Sequence, residues 1–173
     1  MSQETQKLMK KISLAKIVLN MGIGKSGEPI EIGKKALEQI TGKKPNTRNA
    51  KKSLRDWGIR KGEPIGVAVT IRGNDATTVL KKLLIAKDNQ IKERSFDDEG
   101  NVSFGIKEHI DIPEVKYDPK IGILGLEVSA SLARPGFNIR VKSGRKTKVG
   151  KTHRITKDSA IKFLTEEFGV KVV

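Results

Sequence analysis

A short glycine pattern near the N-terminus is the first group of residues whose spacing could support chemistry. Gly22, Gly24 and Gly27 have the spacing of a dinucleotide-binding turn, in which glycines let the backbone approach a pyrophosphate. That motif also needs an acidic residue about 20 residues further on, and no acid lies between Glu38 and Asp56. The segment that follows is basic and polar, whereas a buried parallel strand would be apolar. The pattern therefore favours a flexible strand-to-helix turn, with a nucleotide-dependent enzyme as the rival hypothesis.

Other residue types used in catalysis or metal binding are sparse. Residues 24–26 (Gly-Lys-Ser) are similar to the end of a phosphate-binding loop, but Leu19 stands where that loop needs a glycine. We expect His109 to make a local structural hydrogen bond and His153, which lies among basic residues, to contact phosphate or solvent. No nucleophile has a recognisable base beside it. The sequence therefore predicts no enzyme activity, no metal site and no cofactor.

Basic residues form the strongest chemical signal in the chain. Lys and Arg number 35 against 20 Asp and Glu, which gives a net charge of +15 and a pI near 10.0. Residues 42–62 hold eight basic residues and one acid, and residues 138–154 hold seven basic residues and no acid. Basic side chains that neutralise phosphates release counterions, so these segments predict a polyanion partner, nucleic acid first, and salt-sensitive binding. The alternative is that both are solvated loops that only increase solubility.

Trp57 is the only tryptophan and lies inside the first basic segment. Its ring could stack on a base or a ribose while Arg55 and Arg60 bind phosphates. It could equally pack back against the body of the protein and anchor the loop. The sequence leaves both alternatives open.

Composition excludes several classes of protein. The chain has 173 residues and no cysteine, which excludes disulfides, thiolate nucleophiles and cysteine-based metal centres. No apolar run approaches the roughly 20 residues needed to span a bilayer. The N-terminal residues MSQETQKLMKK lack the apolar core of a secretory signal. We therefore expect a cytoplasmic protein with no membrane contact and no homo-oligomer.

Apolar periodicity predicts the elements that hold the basic segments. Strands are expected at 12–24, 64–72, 101–106 and 123–133, with 137–141 continuing the last of them. Helices are expected at 29–41 with Gly42 as the cap at its end, after an N-cap at Asn74, and from an N-cap at Thr156 to a stop at Gly169. Turns are expected at 117–119 and, as type II, at 134–136.

This interleaving predicts an α+β fold with a mainly antiparallel sheet, helices packed on one face and the other face open. We expect a single domain over residues 1–173, with basic excursions at 50–63 and 142–154. One face of the strands is repeatedly small and polar and carries no aromatic residue; in residues 64–72, Ala68 and Thr70 belong to that face and Val67 and Val69 to the other. RNA would therefore meet that face by shape and hydrogen bonding rather than by base stacking.

Several stretches, in order along nearly the whole chain, together resemble one family. They are KIVLNMGIG at 16–24, ITGKKPNTRNAKKSLRDWGIRKGEPIGVAVTIRG at 40–73, FGIKEHIDIP at 104–113, YDPKIGILGLEV at 117–128 and RPGF at 134–137. The family they resemble is the L5 family of the large ribosomal subunit, and the basic segment before the last helix is of archaeal or eukaryotic type. The resemblance implies a structural protein that binds 5S rRNA and helps attach it to the large subunit in the central protuberance, beside 23S-type rRNA.

The resemblance also implies which residues bind. Asn20 in the LNMG motif and Thr70 in the VTIRG strand fit contacts with rRNA, and further candidates for rRNA are Lys43, Lys44, Thr47, Arg48 and Arg72. Lys43 stands where many relatives have Gln, which would make that contact charged and salt-sensitive. The loop from Ala50 to Gly62 would reach P-site tRNA through Lys51, Lys52, Arg55, Trp57, Arg60 and Lys61. A further contact would join protein S13 in the head of the small subunit.

Charge alone suggests the role of the second basic segment. Its candidates for rRNA phosphates are Arg145, Lys146, Lys148, Lys151 and Arg154. Besides the nucleotide-dependent enzyme, a general nucleic-acid chaperone with no preferred RNA remains an alternative to the ribosomal protein.

Overall fold

The computed structural model describes residues 8–24, 26–115, 119 and 121–173, and alternating apolar residues form its longer strands. The strands are β1 (Ser13–Gly22), β2 (Asn46–Asn49), β3 (Pro64–Ile71), β4 (Gln90–Ile91), β5 (Asn101–Ile106), β6 (Leu126–Ala133) and β7 (Lys171–Val172). The helices are α1 (Glu28–Thr41), α2 (Asn74–Ile85) and α3 (Lys157–Phe168). Of the predicted turn at 117–119, residues 117 and 118 lie outside the described residues.

Five of the strands form one antiparallel sheet in the order β2-β3-β1-β6-β5. The short strands β4 and β7 form a separate parallel pair. Helix α1 packs against β3 and α2 against β1. The predicted α+β fold with an antiparallel sheet is confirmed.

The core lies between the sheet and the helices. Ile17, Leu19 and Met21 alternate along β1 and are buried, together with Leu37 of α1 and Leu80 of α2. Burying aliphatic side chains of this size stabilises the fold by about 1.5–3 kcal/mol each. This packing fixes one face of β1 inward, so the residues between these positions must project from the opposite face.

Two predicted glycine caps at helix C-termini are confirmed, and one predicted N-cap is wrong. Gly42 and Gly169 adopt the left-handed conformation that ends α1 and α3, as predicted. The predicted N-cap at Asn74 is wrong, because Gly73 at φ 72° occupies that position and Asn74 is the first residue of α2. The positive φ of Gly73 turns the chain out of β3 directly into the helix. The Asn74 carbonyl instead accepts a hydrogen bond of 2.6 Å from the Thr77 hydroxyl.

The chain after β6 contains one confirmed turn and one wrong prediction. Gly136 has φ 94° and ψ −11°, and the Phe137 N–H donates to the Arg134 carbonyl at 3.2 Å, which is a type II turn. Residues 137–141 do not continue a strand: Phe137–Arg140 form a 3₁₀ helix. The N–H of Val141 donates to the carbonyl of Asn138, so backbone groups that a strand would offer to a neighbour are used locally.

Candidate nucleic-acid interface

The face of the sheet opposite the helices is lined by small and polar residues. Directly paired residues in an antiparallel sheet project to the same side, so the register defines the members of this open face. Between β1 and β3 the pairs are Val18–Thr70, Asn20–Ala68 and Gly22–Gly66. Between β1 and β6 they include Val18–Ser129 and Asn20–Glu127, and between β6 and β5 they include Ser129–Ser103 and Glu127–Gly105.

Hydrogen bonds between strands order the polar groups of the open face. The Asn20 amide donates to a Glu127 carboxylate oxygen at 3.0 Å. The hydroxyl groups of Ser103 and Ser129 lie 3.1 Å apart. Glu127, Ser103 and Ser129 are all exposed. A carboxylate at the centre of the face repels phosphates, so hydrogen-bond donors such as ribose hydroxyls and base amines fit there better.

Cations lie at the margins of this face. Arg48 of β2 is exposed and pairs with Gly66, which places it on the open side. Arg72, two residues beyond Thr70, is also exposed. Thr47 pairs with the buried Val67 and therefore lies on the helix side of β2. The structure thus brings together four of the residues predicted for rRNA and separates Thr47 from them.

Lys43 and Lys44 lie beyond the end of α1 rather than on the sheet. The Lys43 ammonium is 2.7 Å from a carboxylate oxygen of Asp75, in the first turn of α2. Lys44 is exposed and has no carboxylate within 4.0 Å in the part of the chain that the structure describes. Sequence reasoning missed Asp75, because nothing local to residues 41–45 indicates which helix lies beside them.

The first basic excursion is a hairpin that extends β2 and β3. Leu54 and Ile59 pair through backbone hydrogen bonds of 2.8 and 3.0 Å. The tip is a short 3₁₀ turn, Arg55–Trp57, which Gly58 ends in the left-handed conformation. Trp57 is 73% exposed, so the hypothesis that it packs back to anchor the loop is wrong.

The cations of this hairpin are free of carboxylate partners among the described residues. All of them are exposed, and none forms an ion pair: Lys51, Lys52, Arg55, Arg60 and Lys61. An unneutralised group of this density creates a positive potential that attracts a polyanion.

Glu63 ties the base of the hairpin to the glycine-rich turn. Its carboxylate accepts hydrogen bonds from the Ser26 hydroxyl at 2.6 Å and the Arg60 backbone N–H at 2.9 Å. These two bonds, with the charge of Arg60, hold the pKa of Glu63 below its ordinary value of 4.5, although desolvation opposes them. An ionised Glu63 therefore fixes the base of the hairpin to the glycine-rich turn that follows β1.

The glycine-rich turn itself serves the sheet. The N–H groups of Ile23 and Gly24 both donate to the Ile65 carbonyl, at 3.0 and 2.8 Å. Donors that a phosphate-binding turn would aim at its ligand are thus occupied. Strand β1 also pairs antiparallel with β3, whereas a dinucleotide fold needs a parallel crossover. The flexible-turn interpretation describes this geometry, and the nucleotide-site interpretation does not.

The two histidines serve the fold. His109 is fully buried, and the Leu124 backbone N–H donates to its Nδ1 at 3.3 Å. The predicted structural hydrogen bond is present, but its partner lies 15 residues further along the chain, so the bond is not local. Nε2 of His153 lies 2.8 Å from the Pro135 carbonyl, and the ring packs edge-on against Phe137 at 5.7 Å between centroids. The prediction that His153 contacts phosphate or solvent is wrong for this nitrogen, because it is occupied within the protein.

Two arginines, one in the second basic excursion and one just before it, already have partners within the protein. The Arg154 Nε donates to the Val149 carbonyl at 3.1 Å, and Val149 is buried. Arg140 pairs with Glu99 at 2.9 Å. The remaining predicted phosphate contacts are exposed along this segment: Arg145, Lys146, Lys148 and Lys151. Arg154 therefore differs from the other four, since part of its guanidinium already binds the backbone.

The described residues contain neither a helix that could span a membrane nor a cluster of metal-binding side chains. No helix among residues 8–24, 26–115, 119 and 121–173 is both long and apolar enough to cross a membrane. Within the same ranges, no three or more His, Asp or Glu side chains lie close enough together to hold a metal ion.

Comparison with known families decides the class of protein. The family model for ribosomal protein L5 matches residues 7–60, and a second model, for the C-terminus of the same ribosomal family, matches residues 64–163. The chain belongs to the ribosomal protein L5 family. The main sheet of this L5-family chain joins strands from both matched parts, since β2 precedes the boundary and β3 follows it.

Curated archaeal relatives cover almost the entire chain. It is 64% identical over 172 residues to the large ribosomal subunit protein uL5 of Nitrosopumilus maritimus, covering 99% of both chains. It is 58% identical to uL5 of Cenarchaeum symbiosum, covering 95% of this chain and 98% of the relative. For uL5 of Pyrobaculum aerophilum the identity is 50%, covering 95% and 92%. These matches confirm the resemblance found in the sequence and make the chain a structural ribosomal protein rather than an enzyme.

Proposed function

We propose that this L5-family chain binds 5S rRNA on the open face of its sheet and helps attach that RNA to the large ribosomal subunit in the central protuberance. Membership of the family already makes it a structural ribosomal protein of the cytoplasm. The observation that carries the proposal is the open face itself, where the exposed Gly22 leaves space for close approach beside the polar pair Asn20 and Glu127.

The chemistry of the open face favours RNA over a protein partner. Thr70, Ser129 and Asn20 offer hydroxyl and amide groups, and Arg48 and Arg72 supply charge at the margins. Such a surface matches the wide, shallow minor groove of an RNA helix, which displays 2′-hydroxyls and base edges. Arginines at the rim can then bind the flanking phosphates.

The hairpin between β2 and β3 supports a second contact, with P-site tRNA. Its tip carries an exposed indole among cations that form no ion pair with the residues that the structure describes. An aromatic face that stacks on a base or ribose beside basic side chains is a common way to bind RNA without sequence readout. A further contact would join protein S13 in the head of the small subunit.

The second basic excursion supports a contact with 23S-type rRNA. Lys146, Lys148 and Lys151 are exposed and carry no ion pair among the described residues. Phosphate contacts of this kind position an RNA without reading its sequence.

The experiment that tests the proposal is selection of RNA by the purified protein. Total RNA is passed over the immobilised full chain at physiological salt, and the bound fraction is sequenced. We expect 5S rRNA to be enriched over tRNA, which serves as an internal competitor of similar size and charge. Equal retention of 5S rRNA and tRNA would contradict the proposal and favour a general nucleic-acid chaperone.

A further inference from the structure

A cavity of about 520 Å³ lies beneath the second basic excursion. The side chains that give it chemistry are Glu99, Phe137, Arg140, Lys146, Lys148 and Arg154. Its volume falls within the range of sites that hold a single small organic ligand, about 300–1,000 Å³. Four of the seven basic residues between positions 138 and 154 thus surround one cavity.

The excursion builds the wall of this cavity through its own hydrogen bonds. The Thr147 N–H donates to the Ile139 carbonyl at 3.3 Å, and Arg154 holds the Val149 carbonyl. Val149 and Ile155, which also line the cavity, are buried. The basic side chains therefore stand on a segment that is held by its own hydrogen bonds and by the buried side chains of Val149 and Ile155.

One side of the cavity combines an aromatic ring with a planar cation. The Arg140 guanidinium lies 5.9 Å from the centroid of Phe137, and it also pairs with Glu99 at 2.9 Å. Aromatic rings and guanidinium planes are the groups on which proteins stack unpaired bases. The Glu99 carboxylate accepts hydrogen bonds, as the polar edge of a base requires, and it repels a ligand made only of negative charge.

The other side of the cavity carries isolated positive charge. Lys146 and Lys148 are exposed and have no ion-pair partner in the part of the chain that the structure describes. Ammonium groups in this position suit the phosphates on either side of a nucleotide. A ligand that contacts both the Phe137–Arg140 pair and the two lysine ammonium groups contains a flat base and flanking phosphates.

We propose that this cavity binds one unstacked nucleotide of an RNA chain, with its base against Phe137 and Arg140 and its phosphates on Lys146 and Lys148. The inference rests on the proposed function, because it assumes that RNA is the partner. It goes further by replacing general charge attraction at residues 142–154 with recognition of a single extruded base.

The test uses two short RNAs that differ by one base. One is a single-stranded heptanucleotide with a central adenosine, and the other has an abasic ribose at the same position. Both are titrated against the full chain carrying Trp57→Ala, so that stacking at the hairpin does not contribute. We expect the adenosine probe to bind about tenfold more tightly than the abasic probe.

Two variants separate the base contact from the phosphate contact. Phe137→Leu keeps an apolar side chain, and we expect it to abolish the difference between the two probes while leaving the affinity for the abasic probe unchanged. Lys148→Ala should weaken both probes equally and reduce the salt slope by about 0.7. Lys142→Ala is the matched control, because Lys142 is exposed on the same excursion but does not line the cavity.

Each outcome decides the inference. A difference between probes that vanishes in Phe137→Leu supports the nucleotide site. If thermal unfolding shows that Phe137→Leu is not folded, Arg140→Lys provides the same test, because it keeps the charge but loses the planar guanidinium group. Equal affinity of the unaltered cavity for both probes would overturn the inference even if 5S rRNA binds. Competition by oligoglutamate that matches competition by the adenosine probe would overturn it as well. Loss of selection for 5S rRNA by the unaltered chain would instead count against the proposed function.

Discussion

The side-chain amide of Asn20 on β1 donates a hydrogen bond of 3.0 Å to the carboxylate of Glu127 on β6. The two residues are also direct partners in the register of the sheet. This bond turns the amide nitrogen of Asn20 toward Glu127, and the side-chain carbonyl oxygen of Asn20 accepts no hydrogen bond from the residues that the structure describes. The bond to Glu127 also limits the repulsion that an isolated carboxylate would exert on an RNA.

Replacing Asn20 tests whether this pair meets RNA. We expect Asn20→Ala to lower the affinity for 5S rRNA about tenfold, because it removes a hydrogen-bonding group and leaves Glu127 without its partner. The salt dependence should stay unchanged, since no cation is lost. Titration at four salt concentrations measures both quantities. The double variant with Glu127→Ala is the control and should lose less affinity than Asn20→Ala alone; an unaltered affinity in Asn20→Ala would remove this pair from the interface.

Gly22 and Gly66 are direct partners in the sheet. Substituting each of them by alanine distinguishes an effect on stability from an effect on RNA binding. A Cβ on Gly66 would lie 2.9 Å from the Met21 carbonyl oxygen, whereas a Cβ on Gly22 would meet nothing within 4 Å. We expect Gly66→Ala to lower the free energy of unfolding by about 1–3 kcal/mol, because a backbone atom must shift. Gly22→Ala should stay within about 0.5 kcal/mol in the same denaturation experiment.

Although Gly22→Ala is the more stable of the two variants, it should bind 5S rRNA less tightly than Gly66→Ala. Gly22→Ala should weaken 5S rRNA binding, because its methyl group occupies the space that the RNA backbone would use. Titration of the folded protein measures this effect independently of denaturation. Full affinity in Gly22→Ala would show that RNA does not approach β1 closely.

The ion pair between Lys43 and Asp75 changes what is expected of Lys43. The pair is about half exposed, and such pairs contribute about 0–1 kcal/mol to stability. Because Asp75 already compensates the charge, Lys43→Ala should alter the salt slope of rRNA binding by less than half the change seen for Lys44→Ala. For Lys44→Ala we expect a reduction of about 0.7–0.9. Equal changes in the two variants would mean that Lys43 leaves Asp75 for a phosphate.

Trp57 offers a direct probe of the hairpin. Because the ring is 73% exposed, Trp57→Ala should leave the thermal unfolding midpoint unchanged, while it weakens P-site tRNA binding to reconstituted ribosomes. Leu54→Ala is the matched control, since Leu54 is 46% exposed on the same hairpin and cannot stack on a base. As the only tryptophan, Trp57 should also report tRNA binding as quenched fluorescence. Undiminished tRNA binding by Trp57→Ala would exclude stacking as its role.

Acidification should release the base of the hairpin through Glu63. Its pKa is lowered in the folded protein, mainly by the Ser26 hydroxyl, so the stabilisation is fully present above 4.5 and is lost as the pH falls through the folded pKa. The Arg60 amide, which donates to Glu63, should therefore shift in an NMR titration with a midpoint below 4.5. Glu63→Gln should abolish that titration, and Asp56→Asn, at the tip of the same hairpin, should leave it intact. A midpoint at or above 4.5 would contradict the two hydrogen bonds.

The alternation of apolar residues was sufficient to predict which residues lie on each face of the sheet. Alternation over residues 64–72 assigned Val67 and Val69 to one side and Ala68 and Thr70 to the other, and the register has the same arrangement. The agreement is physical, because burial of one face is what selects alternating residues. The same alternation failed at residues 137–141, where the chain closes its hydrogen bonds locally instead of pairing as a strand.

Contacts between distant elements could not be predicted in this way. The Lys43–Asp75 pair, the partnership of Asn20 with Glu127 and the cavity beneath the second excursion each depend on how separate elements pack. Charge counting located the two basic excursions correctly, yet it could not tell which cations are already paired. Arg140 and Arg154 were both counted as free charge, and both have partners within the protein.

The order of the strands also constrains how the protein is made. Strand β1 lies at the centre of the sheet, but β6, its second neighbour, begins about 100 residues later. At ordinary rates of translation that delay lasts on the order of 5–20 s, during which one side of β1 is an open edge able to pair with another chain. Closure by β6 is a long-range event of the kind that slows folding. The contact that forms late in synthesis is thus the one that converts an aggregation-prone edge into the middle of the sheet.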